Sequence, residues 1–160
     1  MDFTADHYFR ASVERVSQAQ HLYRQGEGYY ALAMYTAGLA VECLLRAYMV
    51  KRRREFESRH DLLLLFKESG ILDVDADKLK AKGLTVGQIQ AHQRSLWSSV
   101  NTVFILWRNN YRFASEARLL AHLKKMKMYR GVKGSLLKAK THDLLGAAQI
   151  FIDKGVFQWQ

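Results

Sequence analysis

The run from Tyr29 to Val50 is the longest apolar stretch of the chain, and its period is that of a helix. Met34, Ala37, Val41, Leu44 and Tyr48 recur at alternating three- and four-residue steps. Ala33, Ala40 and Ala47 widen this seam, and such small side chains let a neighbouring helix approach closely. The run is long enough to raise the question of a membrane span, but it contains Glu42 and Arg46, charges that are costly at a bilayer centre. These two stand in the favourable i,i+4 order on the remaining face. The expectation is therefore a buried central helix from about Tyr29 to Arg53, with no membrane partner.

Nothing in the remaining sequence forces another class of structure. Proline is absent from all 160 residues, where ordinary usage of ~5% would give roughly eight, so long unbroken helices are permitted. We expect an all-α, up-and-down bundle of about five helices in a single domain spanning residues 1–160. A first helix from about Thr4 to Gln25 carries Phe9, Val13, Val16 and Tyr23 on one face. Ser58 and Asp61 read as a capping box opening a short helix from Leu62 to about Ser69. Ile71 to Gly83 reads as a solvated loop. Thr85 and Gln88 form a second capping box at the head of a long helix to about Arg112, with Leu96, Val100, Val103 and Trp107 facing the core. Ser115 caps a helix to about Tyr129, and the last helix runs from Ser135 to Lys154, stopped by Gly155.

The composition limits the chemistry. The single cysteine, Cys43, excludes an intramolecular disulfide and a multi-thiolate zinc site. The first residues show no basic and then apolar leader, which points to a cytoplasmic protein. Lys and Arg total 25 against 15 Asp and Glu, a net charge of +10 that attracts polyanions before any specific contact forms. These cations fall in two clusters. Lys51, Arg52, Arg53, Arg54 and Arg59 follow the central helix, where cations also complement the helix dipole. Arg118, Lys124, Lys125, Lys127, Arg130, Lys133, Lys138 and Lys140 span a helix, a turn and the next helix, with Glu116 almost their only opposing charge. On an unbroken helix to Arg112, the side chains of Arg94, Ser98, Asn101, Arg108 and Arg112 would share one polar stripe, with Asn109 and Asn110 at its end. Guanidinium groups there can grip phosphate in bidentate fashion, and an asparagine amide can orient a sugar or base edge.

Three blocks of this sequence, taken together, resemble the HEPN domain family. Tyr35 to Arg46 is similar to the family's second helix, with its small residues, Ala-Val-Glu, leucines and a basic residue. His60-Asp61-Leu62, followed by Leu65, is similar to the family's His-Asp-Leu helix start. Trp107 to Phe113 resembles its Trp-x-Asn-x-x-Arg-Tyr ending, with Phe113 in place of tyrosine. The resemblance implies a helical bundle, commonly a homodimer, that binds RNA or a nucleotide, often within toxin–antitoxin or phage-defence systems. Many members are metal-independent ribonucleases in which an arginine and a polar residue are followed, after four to six intervening residues, by histidine. Arg108 and Asn109 match the start of that motif, but no histidine stands between Phe113 and Ser115. Arginine alone cannot transfer protons at neutral pH. Two substitutes exist in the sequence: Arg54 with His60 at the right separation, and His122, one turn after Arg118.

The resulting expectation is an RNA-binding protein whose contacts are Arg94, Arg108, Arg112, Arg118, Lys124, Lys125, Lys127 and Arg130. Arg108, Asn109 and His122 are the catalytic candidates for metal-independent endoribonuclease activity, with no metal or other cofactor. Whether the chain is an enzyme stays open. The alternative is a non-catalytic helical module that pairs with a nucleotidyltransferase-type antitoxin or another defence partner. The repeated pairs His60-Asp61 and His142-Asp143 suggest capping and packing rather than metal ligation.

Overall fold

The computed structural model describes residues 2–54, 60–73 and 76–159. Among these it contains seven α-helices, one 3-10 turn and no strand. The helices are α1 (Ala5–Gln25), α2 (Tyr30–Lys51), α3 (Leu62–Ser69), α4 (Ala76–Ala81), α5 (Val86–Leu106), α6 (Glu116–Lys125) and α7 (Leu136–Trp159), with the 3-10 turn at Asn109–Phe113. The all-α class is as expected; six of the seven helices fall on segments read as helical, and the structure differs in two places. A short α4 lies in the segment read as a loop, where Ile71 and Leu79 are buried in apolar surroundings rather than solvated. The long helix expected to reach Arg112 is also divided after Leu106.

α2 is the centre of the structure, as its seam predicts. Met34, Ala37, Val41 and Leu44 are wholly inaccessible, and α1, α3, α7 and the 3-10 turn all pack against it. Burying each large aliphatic side chain there is worth ~1.5–3 kcal/mol. By length and apolarity α2 resembles a membrane span, yet 78% of its apolar window is covered by the rest of the fold. α1 lies along α2 through Ser12, Val16 and Ala19, whereas Val13 stands at the solvent edge, 41% exposed.

The charged pair of α2 lies inside the fold rather than on a solvated face. Arg46 Nε donates to Glu42 at 2.8 Å, and both side chains are over nine-tenths buried. The His60 imidazole Nδ1 lies 2.8 and 2.9 Å from the two carboxylate oxygens of Glu42, which fastens the start of α3 onto α2. Asp61 is itself the N-cap of α3, accepting from the backbone N–H groups of Leu63 and Leu64. This replaces the expected box with Ser58; Ser58 and Arg59 fall outside the described residues, as does Asp75. The Thr85–Gln88 capping box does form.

Two close approaches explain where helices stop and where they continue. The Trp107 indole lies flat on Gly38, where a Cβ would come within 2.2 Å of the ring, and Trp107 Nε1 donates to the Tyr35 carbonyl at 3.0 Å. Seating the indole there takes Trp107 into extended backbone (φ −114°, ψ 145°), so α5 ends one residue earlier. Gly155, in contrast, does not stop α7. A Cβ there would meet Leu44 Cδ2 at 2.4 Å, and the Gly155 carbonyl accepts from the Tyr48 hydroxyl at 2.7 Å. The glycine lets α7 cross α2 closely, and the helix continues to Trp159, which stacks on Phe9 with centroids 4.9 Å apart.

Candidate nucleic-acid interface

The break after Leu106 reorganises the expected arginine stripe. Arg94 remains on α5, where it lines a groove against α7 together with Ser98, Gly146 and Ile150. Arg108 sits in the extended link (φ −140°, ψ 140°), and its Nη1 donates to the carbonyls of Phe104 and Trp107. It thus covers the open carbonyl end of α5, where positive charge is favoured. Arg112 belongs to the 3-10 turn, with its guanidinium 4.6 Å from the centre of the Phe113 ring. Arg94 therefore does not join Arg108 and Arg112, because their common face required an unbroken helix.

A different set of candidates does converge. Arg108, Arg118 and His122 line one cleft of about 470 Å³, completed by Asn110, Tyr111, Phe113, Ala114 and Leu119. The 3-10 turn supplies one wall. α6 supplies the other, because the Ser115 hydroxyl caps its first turn and residues four apart share a helix face. The buried Tyr111 ring meets His122 edge-on, with centroids 5.9 Å apart. Burial pushes the Tyr111 hydroxyl pKa up, opposed by the positive charge of Arg108, so the phenol stays protonated at neutral pH. Asn109 does not line the cleft; its Oδ1 is buried beside it with no hydrogen-bond partner among the described residues.

The two basic clusters separate by what holds them. Lys51 lies 3.9 Å over the Trp159 ring and donates to its carbonyl. Arg52 pairs with Asp73 at 3.4 Å, and Arg54 donates to the Glu68 carbonyl at the end of α3. Arg54 and His60, the alternative motif, thus serve two different anchors. In the second cluster Arg118, Lys124, Lys125, Lys127 and Arg130 are exposed and form no ion pair among the described residues. Glu116, the acid within it, is turned away. Its carboxylate accepts from the backbone N–H of Gly28 at 2.9 Å and of Tyr30 at 2.6 Å. This supplies the N-terminal cap that Tyr29 does not provide for α2.

Sequence reasoning missed this role of Glu116 because its partner is 86 residues away along the chain. It also missed Tyr111 and Phe113 as lining residues, although their alternation with Arg108 and Arg112 was the available signal. The His-Asp pairs have local explanations. His60 and Asp61 hold α3 as described, Asp143 pairs with Lys140 at 2.9 Å, and the His142 ring lies 6.1 Å from Tyr23. Among the described residues no three His, Cys, Asp or Glu side chains converge as a metal site would require.

The comparisons with known proteins bear on the scaffold more than on the cleft. A family model described as HEPN domain matches residues 5–99. The match takes in α1 to α4 and the first two thirds of α5, and it ends before Arg108. No curated protein and no solved structure matches the chain. The match supports a general nucleotide-associated or ribonuclease-like role of the HEPN type. It covers more than half of the sequence, and its residues include the buried α2 seam and the Glu42–His60 tie between α2 and α3: the chain belongs to the HEPN domain family.

Proposed function

We propose that this protein binds RNA at the Arg108–Arg118–His122 cleft and along the cationic segment that follows it. The carrying observation is the position of that cleft at the head of a run of exposed, unpaired cations. Such cations release counterions when they neutralise phosphates, which supplies affinity without reading sequence. Arg118 provides a planar donor set for the non-bridging oxygens of a phosphodiester, and Arg108, whose Nη1 is held by the Phe104 and Trp107 carbonyls, offers its remaining N–H groups. His122 is the imidazole in the cleft and the candidate to carry a proton. In the catalytic form of this reading, His122 takes the proton of a ribose 2′-hydroxyl as that oxygen attacks the adjacent phosphorus. The P–O5′ bond breaks to leave a 2′,3′-cyclic phosphate, the leaving 5′-oxygen takes its proton from water, and the arginines hold the extra negative charge. Such a protein fits a toxin or defence component cutting RNA without a metal.

The test is a pair of measurements on purified protein. Labelled tRNA incubated in excess chelator should be cleaved, and Arg108→Ala and His122→Ala should each abolish cleavage. Arg108→Ala should also weaken RNA binding and flatten its dependence on salt. Binding that keeps its affinity and salt slope in that variant removes the assignment of the cleft.

A second reading, an interaction module, is favoured by the groove between α5 and α7. Gln88, Ala91, Ser95, Ser98, Thr102 and Ile105 recur along it at alternating three- and four-residue steps. Gly146 faces it in mid-helix, where a Cβ would meet nothing within 4 Å. A glycine there costs helix stability without any internal packing reason. It suits a helix of a second copy, or of an antitoxin partner, approaching from outside. Ile150→Arg should then convert a dimer to a monomer in sedimentation, or release a co-purifying partner. A wild type that is monomeric and partner-free eliminates this reading.

A further inference from the structure

We infer that the RNA taken by this site is single-stranded, with an unpaired base stacked on Phe113 and a second on Tyr129. The inference rests on the RNA-binding reading above and adds the form of the substrate. Phe113 is the most exposed large apolar side chain among the described residues, at 78%. It forms a lip of the cleft that holds Arg108, Arg118 and His122, and Arg112 sits over its ring at 4.6 Å. Its aromatic surface is therefore offered to solvent beside three guanidinium groups, the combination that grips a phosphate and stacks the base attached to it.

The feature recurs at the other end of α6. Tyr129 is 51% exposed and lies between Lys127 and Arg130. From one aromatic to the other, α6 presents Arg118, His122 and Lys125 at i, i+4 and i+7, on one face. Leu119 and Leu123 are buried and hold that helix to the core. Ten helical residues span about 15 Å, and Phe113 precedes that helix while Tyr129 follows it, so the cationic face of α6 lies between the two rings along the chain and only Phe113 lines the cleft. A duplex keeps its bases stacked on one another and offers only backbone to such a surface. An unpaired strand offers phosphates to the track and free base faces to the two rings.

Fluorescence anisotropy with three labelled probes of about ten nucleotides decides this. The probes are a single-stranded RNA, its blunt duplex, and an abasic strand with the same phosphate count. Phe113→Ala should weaken the single strand by roughly five- to 150-fold, the factor given by ~1–3 kcal/mol per stacked base. The slope of affinity against salt should not change, since no phosphate contact is lost. Phe113→Trp should restore affinity, Tyr129→Ala should give a loss of the same kind, and the abasic strand should not distinguish wild type from Phe113→Ala. Equal losses on single strand and abasic strand, or no loss on either, overturn the stacking assignment while leaving phosphate binding intact. The RNA-binding reading itself fails separately, if wild-type protein binds none of the three probes with a salt-dependent affinity.

Discussion

The two basic regions look alike in sequence and behave differently in space. After α2, the cations Lys51, Arg52 and Arg54 are committed to Trp159, Asp73 and the end of α3. After the 3-10 turn, Arg118, Lys124, Lys125, Lys127 and Arg130 stand in solvent without an ion pair among the described residues. In the first region charge builds the fold, and the buried Glu42–Arg46 pair, with His60 at its exposed edge, is its extreme form. In the second, charge stands in solvent, which is where the proposed RNA would meet it. A cation hydrogen-bonded to a helix end must give up that bond to meet a phosphate or, as Arg108 does with Nη1 on the Phe104 and Trp107 carbonyls, offer only its remaining N–H groups, whereas an unpaired one gives up only water and counterions. The comparison therefore ties the first region to stability and suits the second to the proposed binding, so that each should respond to its own perturbation.

The largest effect expected is on stability, in the first region. Glu42→Ala leaves Arg46 buried beside His60 without the carboxylate that both face, and removing one member of a buried ion pair costs ~3–5 kcal/mol. Urea denaturation should show that loss. At a temperature where the variant is still folded, RNA affinity should match wild type. A surviving midpoint, or a parallel collapse of affinity in folded protein, breaks the division between the two regions.

Glu116→Ala probes the boundary, because this acid lies in the binding segment but serves the core. Losing the cap on the Gly28 and Tyr30 N–H groups should cost ~0.5–2 kcal/mol, the range of other N-cap deletions. Removing a negative charge from the same helix as Arg118 should at the same time raise RNA affinity slightly, most clearly at low salt. Stability and affinity thus move in opposite directions. If both fall, the cationic segment depends on the α2–α6 connection for its shape, and the two regions are coupled.

How much of this could be read from the sequence depended on the range of the interaction involved. The α2 seam was legible because period and burial agree along one helix, and the Thr85–Gln88 box was legible because its partners are three residues apart. The end of α5 was not. Nothing local to Trp107 stops a helix; the stop comes from a glycine on α2, 69 positions earlier, that receives its indole. The same long reach misread Gly155, a residue that commonly ends helices and here admits Leu44. Of the site, Arg108, Arg118 and His122 were named from motif and charge, and their meeting follows from the extended link that the sequence did not reveal. Arg94 was grouped with them only by an assumed helical stripe.

The smallest expected effect is a pH dependence that belongs to the stability side alone. His92 is buried, and its ring lies 3.0 Å from Gln158 Oε1, while Gln158 Nε2 donates to the Ile71 carbonyl at 2.8 Å. Burial lowers the His92 pKa, the Gln158 hydrogen bond opposes that shift, and the nearby Lys154 charge adds to it. The folded state therefore binds a proton less readily than the unfolded chain, whose histidines titrate near 6.5. Stability from this group is fully present above that pH and declines as the pH falls through it toward the lower folded-state pKa. Thermal unfolding of wild type should lose midpoint temperature between pH 7 and 5.5 more steeply than His92→Gln, which keeps a side-chain donor but does not titrate. The network joins α5, α7 and the segment after α3, and none of its residues lines the Arg108 cleft. RNA affinity of His92→Gln should accordingly follow that of wild type at every pH where both are folded. Parallel pH profiles of stability in the two proteins would show that the acid sensitivity arises elsewhere in the fold.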